Sequence, residues 1–207
     1  MVIRGAIFDL DGTLVDSGLD FDQMRREMGL APGLPLLEAI ERLPDVEAAR
    51  CWTILEQHEL GGARRATLYP GVREFLQALS GRGIRRAVFT RNSRTHTRST
   101  LDRLQVAFDP VVCREDGPVK PHPRAIWKIC EAWGLDTRQC VVIGDHRFDI
   151  AAGRAAGCAT VLFTGSGQAS GLHAGESADH TLTSFAEPAA LWDWIDQIDL
   201  GGSGGSC

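Results

Sequence analysis

The chain lacks any apolar run approaching the roughly 20 residues that a membrane-spanning helix requires. It also lacks a Cys-x-x-Cys pair. Its six cysteines, Cys51, Cys113, Cys130, Cys140, Cys158 and Cys207, mostly lie in apolar surroundings and read as buried reduced thiols, not as a zinc site or a disulfide framework. Positive charge is in deficit as well. A net charge of −5 argues against nucleic-acid partners, which need a basic surface to displace counterions. The pairs Arg64-Arg65 and Arg85-Arg86 are too short for a polyanion track. The N-terminal segment turns acidic at Asp9, too early for the core of a signal peptide, so a cytoplasmic location without membrane partners is expected. Internal repeats are absent.

What remains is the composition of a globular protein with a full core: 207 residues, 43% hydrophobic and 24% charged. Residues 3–9 read as a buried strand that stops at Asp9-Leu10-Asp11-Gly12-Thr13, where Gly12 permits a sharp turn. Residues 16–66 carry helical periodicity only. Phe21, Met24 and Met28 share one helix face; Leu36, Leu37, Ile40 and Leu43 share a second. A third helix is expected from about Val46 to Leu60, closed by Gly61-Gly62. From Tyr69 onward helices and strands alternate. Helices are expected from Val72, over 94–104, over 123–133, over 148–156 and over 185–195. Strands are expected at 85–90, 110–113, 140–144 and 159–163, with an edge strand at 179–183. This alternation predicts an α/β, Rossmann-like core with a mainly parallel sheet. The core would comprise residues 1–15 and 67–200, residues 16–66 an inserted helical cap, and the Gly/Ser stretch 201–207 a flexible tail.

Sites in open α/β sheets form beyond the carboxyl ends of the strands. Here those ends carry reactive groups. The first strand ends in Asp9 and Asp11, which point the same way along an extended segment. The strand at 85–90 ends in Thr90, Lys120 precedes a helix, and strand 140–144 runs into Asp145 with Asp149 four residues later. Phosphate monoester hydrolysis, accelerated by enzymes by as much as about 10²¹-fold, needs such a set. A carboxylate attacks phosphorus, an acid protonates the leaving alkoxide, and cations neutralise the phosphoryl oxygens. Four converging carboxylates beside one lysine call for a hard, oxygen-binding cation such as Mg²⁺.

The segment Asp9-Leu10-Asp11-Gly12-Thr13-Leu14-Val15-Asp16-Ser17 resembles the signature of the haloacid dehalogenase-like hydrolase superfamily. Thr90 resembles its second motif, Val119-Lys120-Pro121 its third and Gly144-Asp145-His146-Arg147-Phe148-Asp149 its fourth. The insert between the first two motifs is similar to the small C1 cap of phosphoglycolate phosphatase-like members. The resemblance implies Asp9 as nucleophile and metal ligand, with Asp11 as general acid and base that also offers its main-chain carbonyl to Mg²⁺. It implies Thr90 and Lys120 on the transferring phosphoryl group and Asp145 and Asp149 at the metal. Gly12, Thr13, Arg91 and Asn92 are expected at the substrate. Many relatives have Asn directly after the second-motif threonine, whereas here Arg91 intervenes before Asn92.

Asp11 separates this chain from the dehalogenases proper, whose leaving halide needs no acid. Phosphonatases of the superfamily use a cap lysine, and the chain's two lysines, Lys120 and Lys128, both lie outside residues 16–66. A sugar-phosphate mutase and a non-catalytic phosphate-binding protein remain alternatives to a phosphatase acting on small phosphorylated metabolites, such as phosphoglycolate or a sugar phosphate. The histidines lack metal-ligand spacing, although His122 and His146 adjoin motif residues. Trp127, Trp133, Trp192 and Trp194 are expected in the core.

Overall fold

The computed structural model describes residues 2–167 and 177–201. His173 and the tail from residue 202, with Cys207, lie outside them. In chain order the strands are β1 (Gly5–Phe8), β2 (Val15–Asp16), β3 (Thr67–Leu68), β4 (Arg85–Phe89), β5 (Val111–Val112), β6 (Cys140–Gly144), β7 (Ala159–Phe163) and β8 (His180–Leu182). The helices are α1 (Phe21–Met28), α2 (Leu36–Ile40), α3 (Asp45–Arg65), α4 (Val72–Gly81), α5 (Arg94–Leu104), α6 (Arg124–Trp133), α7 (Arg147–Ala156) and α8 (Ala189–Gly201).

Six strands form one sheet in the order β5-β4-β1-β6-β7-β8, and every pairing is parallel. Burial on both faces explains why β1 and β6 read as uninterrupted apolar runs. Along β1 the side chains alternate. Ala6 and Phe8 pack with Phe75, Leu79 and Phe185 on one face, while Ile7 packs with Ile126, Ile129 and Trp133 on the other. Helix α6 shows the matching amphipathic pattern, burying Ile126, Ile129 and Trp133, and Gly134 ends it in the left-handed conformation that a side chain would resist.

Helices α1–α3 lie between β2 and β3 in sequence and share a separate apolar cluster built on Met24, Met28, Leu37, Ile40, Cys51 and Leu55. The two-residue strands β2 and β3 pair antiparallel, Val15 with Leu68 and Asp16 with Thr67, and so join the two chain segments that lead into and out of these helices. Pairs this short leave almost no periodic trace in sequence.

Three expectations need correction. Helix α3 does not end at Gly61-Gly62 but continues to Arg65. A Cβ on Gly62 would stand 3.0 Å from Leu19 Cδ2, so this glycine serves close packing and not termination. Trp127 is 47% exposed instead of packed in the core, although its indole N–H donates to Ala156 O at 3.3 Å. Helix α8 starts at Ala189, later than expected, because Phe185 is a fully buried core ring preceding the helix. Among the described residues no helix is long and apolar enough to cross a membrane.

Candidate active site

The carboxyl ends of β1, β4 and β6 meet at one rim. Asp9 follows β1 directly, and its N–H donates to Ile143 O at 3.0 Å, which seats it beside the end of β6. Asp145 and Asp149 enter from the other side of that junction, at the end of β6 and in the first turn of α7. One carboxylate oxygen from each of Asp9, Asp145 and Asp149 lies within 4.8 Å of the other two. The Lys120 ammonium donates to Asp149 Oδ1 at 2.6 Å and also to Asp9 Oδ1. It is only 3% exposed. A buried lysine is tolerable when such carboxylates surround it.

Two glycines make this convergence possible. Gly12 has φ +80°, and a Cβ there would stand 2.3 Å from Asp145 Oδ2. A Cβ on Gly144 would stand 2.2 Å from Asp149 Cγ. Thr13 is fully buried and its hydroxyl donates to Asp145 Oδ1 at 2.9 Å, while the His146 N–H donates to Asp149 Oδ2 at 3.0 Å. Each metal-side carboxylate is therefore oriented by a partner of its own.

Asp11 stands apart from the three-carboxylate cluster. It accepts from Asn92 Nδ2 and is hydrogen-bonded to Ser17. Thr90 is buried at the end of β4, and its hydroxyl accepts from the Asn92 N–H at 3.2 Å. Asp9, Asp11, Thr90, Arg91, Asn92, Lys120, Asp145 and Asp149 all line one cavity of about 550 Å³; Gly12 and Thr13 lie behind its wall.

A family model for haloacid dehalogenase-like hydrolases matches residues 3–157. The chain belongs to the haloacid dehalogenase-like hydrolase family. Among family proteins it is 30% identical to a haloacid dehalogenase-like hydrolase domain-containing protein of Arabidopsis thaliana, over 80% of this chain and 73% of that protein. It is 31% identical to a phosphoglycolate phosphatase of Haemophilus influenzae, over 76% of this chain and 84% of the other. The fold superposes on the crystal structure of a hydrolase from Pseudomonas syringae with a TM-score of 0.76, 20% identity and coverage of 93% and 99%.

In this haloacid dehalogenase-like hydrolase the rim is electrostatically loaded. Burial raises the Asp9 carboxyl well above its ordinary range; Lys120 opposes that rise, while Asp149 and Asp145 add to it. Asp145 is pushed up to about 7, first by burial and then by Asp149. Burial also raises Asp11, against the hydrogen bonds from Ser17 and Asn92. Burial alone would lower Lys120, but Asp149 and Asp9 more than offset it and the ammonium is held charged. Three close carboxylates with one ammonium leave unbalanced negative charge, and an all-oxygen donor set of this kind fits Mg²⁺.

The helical insert supplies the opposite wall of the hydrolase's cavity, and here sequence reasoning missed the contributors. Leu19, Phe21, Leu36, Leu37 and Leu55 line it, with Glu59 among them; Arg25 lines it too, one of the insert arginines that the sequence already offers to an anionic substrate. Arg91 donates through Nη2 to Glu38 of α2 at 2.6 Å and through Nη1 to Lys120 O, and its guanidinium lies 4.8 Å from the Phe148 ring centroid. The arginine that departs from the family pattern thus ties the insert to the Lys120 loop. Glu59, 4% exposed, bonds Arg114, His96 and the Ser93 N–H. A charge inside an otherwise helical apolar pattern was the one available signal for Glu59.

Proposed function

We propose that this hydrolase is a Mg²⁺-dependent phosphatase of small phosphate monoesters, acting through an aspartyl-phosphate on Asp9. The observation that carries the reading is the meeting of Asp9, Asp145 and Asp149 within 4.8 Å, with Lys120 bonded to two of them. The names of relatives such as the phosphoglycolate phosphatases support phosphate ester chemistry.

Asp9 attacks phosphorus, the P–O bond to the leaving group breaks, and Asp11 gives its proton to the departing alkoxide. A carboxyl raised by burial keeps that proton at a pH where an ordinary carboxyl has lost it. Asp11 then takes a proton from water, and the water oxygen attacks the phosphorus of the acylphosphate, returning Asp9 as a carboxylate with release of phosphate. Asn92, which donates to Asp11, orients it for both transfers. Lys120 and the Thr90 hydroxyl hold the phosphoryl oxygens, and Thr13 and Gly12 serve the site by positioning Asp145. Asp9, Asp145, Asp149 and the Asp11 main-chain carbonyl would hold Mg²⁺, which when bound neutralises charge on the phosphoryl group. Helices α1–α3, residues 16–66, act as a cap that closes the cavity over substrate and excludes water. Five buried free cysteines fit a reducing, cytoplasmic setting.

Turnover of p-nitrophenyl phosphate tests the reading. Activity is expected with Mg²⁺ and is expected to vanish with EDTA and in Asp9→Asn. Turnover surviving both treatments would sink the mechanism.

A further inference from the structure

The cavity walls restrict what can accompany the phosphoryl group. Facing the reactive carboxylates, the insert offers Leu19, Leu36, Leu37, Leu55 and the ring of Phe21, and the core adds Phe148. Phe21 is 42% exposed, an aromatic edge at the mouth that nothing in the insert's own apolar cluster covers.

Three Lys or Arg side chains line this cavity among the described residues, Arg25, Arg91 and Lys120. Each is engaged by carboxylate. Arg25 Nη1 donates to Asp22 Oδ1 at 2.7 Å and its Nε donates to Leu34 O at 2.8 Å. Arg91 is held by Glu38 at 2.6 Å and by Lys120 O. Lys120 is held by Asp149 and Asp9. On the insert side Asp20 adds a further carboxylate to the lining, while Glu59 is already engaged by Arg114 and His96. A second anion on the substrate would therefore meet no uncommitted Lys or Arg side chain and would approach the Asp20 carboxylate on the insert side. An apolar leaving group meets leucines and an aromatic ring instead.

Resting on the phosphatase reading, we infer that the preferred substrates are phosphate monoesters whose leaving group carries no second negative charge and lays an apolar face against Phe21 and the insert leucines. This separates the chain from relatives named for phosphoglycolate, whose leaving group bears a carboxylate.

The test compares kcat/KM for phenyl phosphate and 4-carboxyphenyl phosphate with Mg²⁺. The carboxyphenolate is the better leaving group, so chemistry alone favours the charged ester. Phenyl phosphate is expected to win by about tenfold or more, because an uncompensated like charge in a partly buried site costs at least that. Equal or reversed preference overturns the inference while leaving the phosphatase reading intact. Absence of turnover on both esters and on p-nitrophenyl phosphate removes both readings. Asp22→Asn, at an exposed position, releases Arg25 and is expected to bring the ratio about threefold closer to one. An unchanged ratio overturns the electrostatic account.

Discussion

Gly144 shows how little room the site leaves. Asp149 occupies the space a Cβ would need, so Gly144→Ala must push either β6 or the Asp149 carboxylate aside. Overpacking of this kind costs about 1–3 kcal/mol, and thermal denaturation of the variant is expected to show it together with weakened Mg²⁺ binding. Asp9 and Asp11 divide the chemistry differently. Asp9→Asn removes the attacking group and should lower kcat by about 10⁴-fold or more. Asp11→Asn keeps the bond to Asn92 but cannot transfer the proton, and should cost about 10²–10⁴-fold. A burst of covalent phosphoenzyme detected by mass spectrometry with an activated ester in Asp11→Asn, and its absence in Asp9→Asn, would separate the two roles.

At the scale of elements, charged side chains join insert and core beside the apolar contact of Val119 with the insert's own cluster. Arg91 on the loop after β4 meets Glu38 of α2, and both side chains are partly shielded. The burial of Glu38 opposes ionisation, but Arg91 more than offsets this and holds the carboxyl below its ordinary range. A double-mutant cycle on Arg91→Ala and Glu38→Ala is expected to give a coupling of about 1 kcal/mol. KM should rise in both single variants if the pair keeps the insert seated over the substrate; unchanged kinetics would make the pair merely structural. The helices themselves were legible because 3.6-residue periodicity is local. The continuation of α3 past Gly61-Gly62 was not, since the advantage of a glycine there comes from Leu19, more than 40 residues away in sequence.

At the scale of the whole molecule, convergence of carboxylates links pH, metal and stability. Asp145 rises to about 7 in the folded state, so the folded chain binds more protons than the unfolded one between the ordinary carboxylate pKa and 7. Its contribution to stability is present at low pH and is lost as pH rises through that window. Mg²⁺ requires the ionised carboxylates and supplies the missing positive charge. The rise in melting temperature on adding Mg²⁺, relative to EDTA, should therefore be greater at pH 8 than at pH 5.5. The difference is expected to be about 2–4 °C, the shift produced by 1 kcal/mol in a domain of this size. Differential scanning fluorimetry at the two pH values checks it, and an equal or smaller shift at pH 8 would contradict the proposed donor set.

The order of strands and helices, the parallel sheet and the identity of the acidic rim residues were written in the sequence. Apolar runs, amphipathic periods and short motifs are local properties, and a parallel sheet places the carboxyl ends of its strands on one edge because the strands all run the same way. Only the tertiary structure decided that Arg91 turns to Glu38, that Thr13 lies behind the wall against Asp145, and that Arg25 is taken by Asp22. Those outcomes depend on which charge finds which partner across the insert and the core, and pairing at a distance leaves no period in the chain.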